Sequence, residues 1–396
     1  MFMNRMTNAM RRIRANWNLP KVAKDEANKD RAEGIGADID IDRVVSESVA
    51  WLCRAQDQST SHDGGVARDY NLIRGWGPSY PETTGYIIPT ILARGLELQD
   101  QKLIERARRM LDWLLQMQFP EGGFQGGTVG CNPIVPVTFN TGQILIGLAS
   151  GAVQFGEPYL NAMHQAAGWL VRTQDADGAW RAYPTPFASY GEKTYETHVA
   201  WGLFEAAKAG REKNYAEAAM KNIDWALTKQ RTNGWFSDCC LEDPSQPLTH
   251  TLGYAIRGIL EAYQYAQERS LIEACIRASE GILTAMKPNG FIPGRLDSDW
   301  NGTVSWACLT GNVQVAYCWL KLYQYTKETR FRDAAYSANS FVRRTIRLHG
   351  KEETRGAVKG SFPISGDYAP YQYLNWAAKF FIDSNQLELV IRRAEA

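Results

Sequence analysis

The chain has 396 residues, 44% hydrophobic and 22% charged, with 44 Lys and Arg against 43 Asp and Glu, for a net charge of +1. That balance implies neither a nucleic-acid nor a strongly acidic partner. Seven cysteines, an odd number with no C-x-x-C pair, argue against a disulfide framework or a zinc site, and no stretch is apolar enough to span a membrane.

From the N-terminus, Met1 to Leu19 carries Arg5, Arg11, Arg12 and Arg14 without an apolar core. It reads as a basic extension and not as a secretory signal, so a cytoplasmic location is expected. A weak peripheral contact with an anionic membrane is the one membrane role open to it. A polar linker, Lys21 to Gly36, is expected to follow. Residues 1–38 are therefore expected to form an extension and 39–396 a single domain. Asp38-Ile-Asp-Ile-Asp42 reads as the end of that linker and the cap of the first helix.

A unit of about 60 residues then repeats six times. Its first helix closes on Trp51-Leu-Cys-Arg-Ala-Gln56, Trp113-Leu-Leu-Gln-Met-Gln118, Trp169-Leu-Val-Arg-Thr-Gln174, Trp225-Ala-Leu-Thr-Lys-Gln230, Ile282-Leu-Thr-Ala-Met-Lys287 and Phe341-Val-Arg-Arg-Thr-Ile-Arg347. This helix is amphipathic: Gln101 to Gln118 sets Arg106, Arg108, Arg109 and Asp112 against Leu103, Ile104, Met110, Trp113 and Leu114. The second helix is apolar on nearly every side and rich in small residues, as in Gly142-Gln-Ile-Leu-Ile-Gly-Leu-Ala-Ser-Gly151. One kind has a wet face and the other has none. Six of each predict an all-α, (α/α)6 toroid with six inner and six outer helices.

Links from inner to outer helix are short, such as Gly156-Glu-Pro158, whereas links from outer to inner run to roughly 20 residues, well above the usual length. All the long links must gather over the N-termini of the inner helices, where free N–H groups and the positive dipole end favour hydroxyl-rich or anionic ligands. The inner helices open on Ser79-Tyr-Pro-Glu-Thr-Thr-Gly85, Thr138-Phe-Asn-Thr-Gly142, Lys193-Thr-Tyr-Glu-Thr-His198, Leu248-Thr-His-Thr-Leu-Gly-Tyr254, Leu309-Thr-Gly-Asn312 and Tyr371-Gln-Tyr-Leu-Asn375. Glu82, Glu196, His198 and His250 are the candidate catalytic residues, because carboxyl and imidazole groups move protons near neutral pH when their surroundings tune them. Thr83, Thr84, Asn140, Thr197 and Thr310 are expected as helix caps. The candidate ligand-binding set is Arg68, Trp76, Tyr80, Asn140, Trp180, Tyr190, Tyr195, Asp238, Tyr254, Arg295, Asp297, Asp299, Trp300, Trp306 and Tyr368. Flat aromatic faces suit the C–H side of a sugar ring, and carboxylates, amides and guanidinium groups suit its hydroxyls or a uronate carboxylate.

The segments Gln118-Phe-Pro-Glu-Gly-Gly-Phe124, Gln174-Asp-Ala-Asp-Gly-Ala-Trp180 and Gln230-Arg-Thr-Asn-Gly-Trp-Phe236 resemble the Q-x-x-x-G-x-W repeats of terpenoid cyclases and protein prenyltransferases. They also resemble the turns of six-hairpin glycosidases and of toroidal polysaccharide lyases and sugar epimerases. The resemblance spans about residues 40–385 and implies the toroid fold. The repeat's own physical reading is structural: Gln ties off a helix, Gly turns, and the aromatic packs on the next unit. A D-x-D-D acid, a D-D-x-x-D motif and a zinc set of Asp, Cys and His are all missing, which sets terpenoid chemistry aside. The leading expectation is a carbohydrate-active enzyme that hydrolyses a glycoside through paired carboxylates, Glu82 and Glu196, without metal or cofactor. The alternatives are a polysaccharide lyase or uronate C5-epimerase using His and Tyr, a non-catalytic glycan-binding ring, and a terpenoid cyclase-like or prenyl-binding protein. The oligomeric state stays open.

Overall fold

The computed structural model describes residues 19–189 and 191–395. Its helices, in chain order, are α1 (Lys21–Glu33), α2 (Ile41–Asp57), α3 (Pro81–Leu98), α4 (Gln101–Met117), α5 (Thr138–Phe155), α6 (Tyr159–Thr173), α7 (Thr197–Gly210), α8 (Lys213–Thr228), α9 (Thr249–Ala266), α10 (Arg269–Ala285), α11 (Leu309–Thr326), α12 (Thr329–Arg343) and α13 (Asn375–Glu395). The even-numbered helices α2 to α12 form an outer ring and the odd-numbered α3 to α13 an inner barrel. Each inner helix packs on the next, and α13 closes the circle against α3 and α2. The fold is the expected (α/α)6 toroid.

The turns explain the Gln–Gly–aromatic repeat. Gln174 Nε2 donates to the carbonyls of Gly178 in its own turn (3.0 Å) and Ala218 on the next outer helix (2.9 Å). Gln118 does the same with Gly122 and Ala162, and Gln230 with Gly234 and Ala274. Gly178 sits at φ +99°, and a Cβ there would overlap the carbonyl of Lys221 on that next helix. Each turn is thus a hydrogen-bonded brace between neighbouring units.

The inner helices approach closely because small residues line their contacts. A Cβ on Gly142 would press on Val199, and one on Gly202 on the backbone of Gly142. The expected threonine caps are not caps. Thr84 Oγ1 accepts from Val66 N (3.0 Å) and so anchors the incoming loop, as Thr141, outside the expected set, does for Phe124 N (2.9 Å), while Thr197 Oγ1 donates to Ala255 O across to α9.

Short strands tie the loop face together. β1 (Asp69–Asn71) pairs antiparallel with β2 (Gly75–Trp76) and with β5 (Gln372–Leu374), in register Tyr70 to Tyr373, and β3 (Ala307–Cys308) pairs with β4 (Ser361–Phe362). The first and last units are therefore sewn together at the mouth. The segment expected as a polar linker is instead helix α1. It buries Ala23, Ala27 and Asp30 on one face, where Asp30 accepts from Lys359 Nζ (2.5 Å) and Ile364 N (2.8 Å). The charges that suggested a solvated linker find buried partners on a distant loop. Asp40 does cap α2, accepting from Arg43 N at 2.9 Å. The proposed membrane contact of residues 1–18 lies outside the described residues. Among the described residues no helix is long and apolar enough to cross a membrane.

Candidate active site

A cavity of about 390 Å³ opens over the N-termini of the inner helices, on the face where the long loops gather. Its polar wall is built from first turns. Pro81 starts α3 and places Glu82 and Tyr86, four residues apart, on the same face. His250 and Tyr254 repeat that spacing on α9, Phe139 and Asn140 come from α5, and Trp376 from α13. Tyr80, Tyr195 and Tyr368 come from the loops just before these helices, and Arg68 precedes β1.

The Tyr80 hydroxyl is a meeting point. It donates to Glu82 Oε2 at 2.6 Å, and the side chains of Arg68 and Asn140 lie beside it. Burial pushes the Glu82 carboxyl up to about 7, against the opposing pull of the Tyr80 hydrogen bond and the Arg68 charge. Arg68 stacks on Trp376 at 5.1 Å, and its Nη1 is shared between Gln372 Oε1 (2.8 Å) and Asp69 (3.2 Å). Asn140 is buried, and its Nδ2 lies beside the Tyr80 hydroxyl without a hydrogen bond of ordinary geometry to any described residue. A buried donor left open at a cavity wall is a place for a ligand oxygen.

His250 stands between the rings of Tyr254 (4.4 Å) and Tyr368 (5.7 Å). Its Nδ1 meets Gln314 Oε1 at 2.6 Å; with the amide oxygen accepting, Nδ1 carries the hydrogen and Nε2 offers a lone pair. Burial pushes its pKa down to about 4 although the Gln314 bond opposes this, so the ring is neutral near pH 7. His198 is paired in the same way with Gln143 (2.5 Å), but it lies behind Tyr254, fully buried and outside the cavity wall.

The structure separates the two expected carboxylates. Glu82 lines the cavity, whereas Glu196 follows the cavity-lining Tyr195 in a single 3-10 turn and is not part of the wall. Glu196 is buried, its Oε2 has no partner among the described residues, and burial pushes its pKa up to about 8, with Lys193 and Arg181 opposing. Arg68, Tyr80, Asn140, Tyr195, Tyr254 and Tyr368 of the expected ligand set come together. The others do not line the cavity, for identifiable reasons. Trp76 packs on Trp51 and Tyr70; Trp180 is buried, with its indole N–H donating to Leu170 O (2.9 Å). Trp300 packs on Trp235 and donates to Asn233 O, and Trp306 is buried against Leu248 and Cys308. Asp297 organises its own loop by accepting from the backbone of Asp299 (3.0 Å) and Asn301 (2.8 Å). Asp238 sits 3.7 Å from Lys229, and Arg295 donates to Gln246 O. Tyr190 lies outside the described residues.

Sequence reasoning missed Tyr86, Phe139 and Trp376. The i, i+4 step from Glu82 to Tyr86, which mirrors His250 to Tyr254, was the available signal for the first of them. Phe187, Thr185, Thr128 and Cys131 roof the cavity from two long loops and carried no such signal.

Comparison with known proteins gives three findings. Residues 77–262 match the family model of the squalene-hopene cyclase C-terminal domain. No curated protein sequence matches the chain. Among solved structures, an unsaturated glucuronyl hydrolase specific for heparin is similar at 15% identity and a TM-score of 0.70, over 89% of this chain and 98% of that one. A sugar epimerase from a ruminal bacterium is similar at 13% and 0.71, over 89% and 98%. A D-mannose isomerase is similar at 10% and 0.72, over 89% and 97%. At such identities the likeness is one of fold.

Proposed function

We propose that the protein is a carbohydrate-active enzyme that shifts a proton between neighbouring carbons of a small sugar, as an isomerase or epimerase does. The observation that carries this reading is the sign of charge around Glu82. Among the described residues the cavity wall holds one carboxyl group, Glu82, together with the Arg68 cation and the Asn140 N–H donor. An oxocarbenium ion, formed in glycoside cleavage, calls for a second carboxylate on the other side of the bond. An enediolate carries negative charge on oxygen, which Arg68 and Asn140 favour.

In this reading Glu82, ionised in part at neutral pH, takes the proton from the carbon next to the sugar carbonyl. The C–H electron pair becomes a carbon–carbon double bond, and the carbonyl pair moves to the oxygen beside Arg68 and Asn140. Return of the proton to the former carbonyl carbon, with the proton of the neighbouring hydroxyl passing to the former carbonyl oxygen as the new carbonyl forms, gives the isomer, and return to the opposite face of the first carbon, with the carbonyl restored, gives the epimer. His250 Nε2 accepts from a substrate hydroxyl. A cavity of about 390 Å³ is at the small end of ligand sites and suits one or two sugar rings. The epimerase and isomerase among the similar folds act on sugars, which agrees with this reading.

Hydrolysis is the second reading, because Glu82, raised to about 7, is protonated in part at neutral pH and so can be the acid a glycosidic oxygen needs. Incubating the protein in heavy water with a panel of neutral and acidic sugars, followed by mass spectrometry, separates the two. Gain of one carbon-bound deuterium without cleavage is expected. Cleavage with gain of water and no carbon-bound deuterium would overturn the proposal in favour of hydrolysis, and no change across the panel would remove both.

A further inference from the structure

The opposite mouth of the barrel, at the C-termini of the inner helices, holds a recess that this chemistry does not use. Two adjoining hollows, of about 650 and 400 Å³, share Trp201, Arg257 and Tyr317 in their walls. Neither has a wall residue in common with the cavity around Glu82. The floor between them is thin. Tyr86 faces the upper cavity, and Lys379, whose Nζ lies 5.5 Å from the Tyr86 ring, faces the lower hollow.

The charges of this recess do not cancel. Among the described residues four carboxylates line it, and each is held by a cation of its own helix: Glu97 by Arg94 (2.7 Å), Glu205 by Lys208 (2.9 Å), Glu261 by Arg257 (2.6 Å) and Asp383 by Lys379 (2.6 Å), while Arg393 in the wall is held by Asp42 (3.2 Å). Lys321 has no carboxylate partner among the described residues; its ammonium donates to the Gln264 amide oxygen at 3.3 Å. Burial lowers its pKa, and Arg257 and Lys208 push the same way while Glu261 opposes them. Lys208, Arg257 and Lys321 thus converge from α7, α9 and α11, with one positive charge uncompensated in a partly desolvated site. Arg257 is held rigid between the rings of Trp201 (3.9 Å) and Tyr317 (4.2 Å). The outer wall is apolar where it meets water: Leu96 is 47% and Val153 75% exposed. A cationic floor under an apolar rim fits a ligand of two characters.

We propose that this recess binds an amphiphilic anion, a carboxylate or phosphate head on an apolar chain, with the head at Lys321 and the chain along Leu96 and Val153. The site is independent of the reaction assigned to the other mouth. Calorimetric titration of the full chain with octyl phosphate tests it, with octanol and inorganic phosphate as partial probes. One saturable site is expected, weakened by salt and bound at least about tenfold more tightly than either partial probe. Lys321→Met should lower the affinity about tenfold and Lys321→Arg should keep it, while Arg68→Gln, which removes the cation of the upper cavity, leaves it unchanged. Equal affinity in Lys321→Met, loss in Arg68→Gln, or no binding of octyl phosphate would each overturn the proposal. Sedimentation with phosphatidic acid vesicles identifies the source of the anion: Lys321-dependent pelleting assigns the site to a membrane lipid, and binding of octyl phosphate alone to a free amphiphile.

Discussion

The braced turns and the inner-helix openings are both polar, both recur along the chain, and look alike as candidates for function. They differ in how their hydrogen bonds are spent. In the turns, Gln118, Gln174 and Gln230 each bind two carbonyls, and the aromatic that follows is buried. At the openings, the cavity-lining Asn140 Nδ2 is left without a hydrogen bond of ordinary geometry, and Glu82 and His250 are buried with their ordinary charge states disfavoured. A polar group that the fold satisfies has a structural task, whereas one that the fold strands at a cavity wall has its partner still to come. The contrast separates scaffold from site better than residue type does.

The largest effect expected from this contrast is catalytic. Glu82→Gln should lower turnover by about 10²- to 10⁴-fold with the denaturation midpoint nearly unchanged at pH 5, whereas Glu196→Gln, outside the cavity wall, should retain most activity. Equal losses in the two variants would return the paired-carboxylate mechanism. Next in size, Gly178→Ala should destabilise the protein by about 3 kcal/mol or more in denaturant titrations, because its Cβ meets the Lys221 carbonyl at a positive φ. Gln174→Ala should cost about 1–2 kcal/mol, since Gly178 O keeps its bond from Asn222 and only Ala218 O loses its side-chain donor. Neither turn variant should alter the pH dependence of any activity.

That pH dependence is the finest test. Glu82 as a base requires kcat/KM to rise with pH through about 7, while Glu82 as an acid requires it to fall there. Stability carries the same signature. The folded-state pKa values of Glu82 and Glu196 are raised, to about 7 and about 8, so their neutral forms are favoured by folding. Their contribution is complete below the unfolded carboxyl range and is lost as pH rises through those values. Glu196→Gln should therefore be more stable relative to the parent at pH 9 than at pH 4, by on the order of a few kcal/mol. His250 acts at the other end: its pKa is lowered to about 4, so stability falls as pH drops from about 6.5 towards 4, and His250→Gln should flatten that limb.

Much of the ring was legible in the chain. The wet-faced and dry-faced helices, the short and long links, and the turn glycines all express local rules of periodicity and backbone sterics, and they led to six hairpins and to the face that holds the cavity. Helix α1 was not legible, because Asp30 and Glu26 look like linker charges until Lys359, far along the chain, is placed against them. Trp180, Trp300 and Trp306 attracted attention for their chemistry, yet each is absorbed by packing: Trp180 within its own unit, Trp300 against the turn at Asn233 and Trp235, and Trp306 against Leu248.

Glu82 and Glu196 mark the boundary between the two kinds of knowledge. Both open an inner helix beside a tyrosine, and residue type and position alone make them equivalent. That six paired helices close into a toroid with a polar mouth could be read along the chain, because amphipathic periodicity and turn geometry are properties of neighbouring residues. That Glu82 faces the cavity with Arg68 and His250 while Glu196 does not is settled by the assembled ring. The rotation of each inner helix, and the burial that tunes its carboxyl group, are set by contacts between units far apart in the chain.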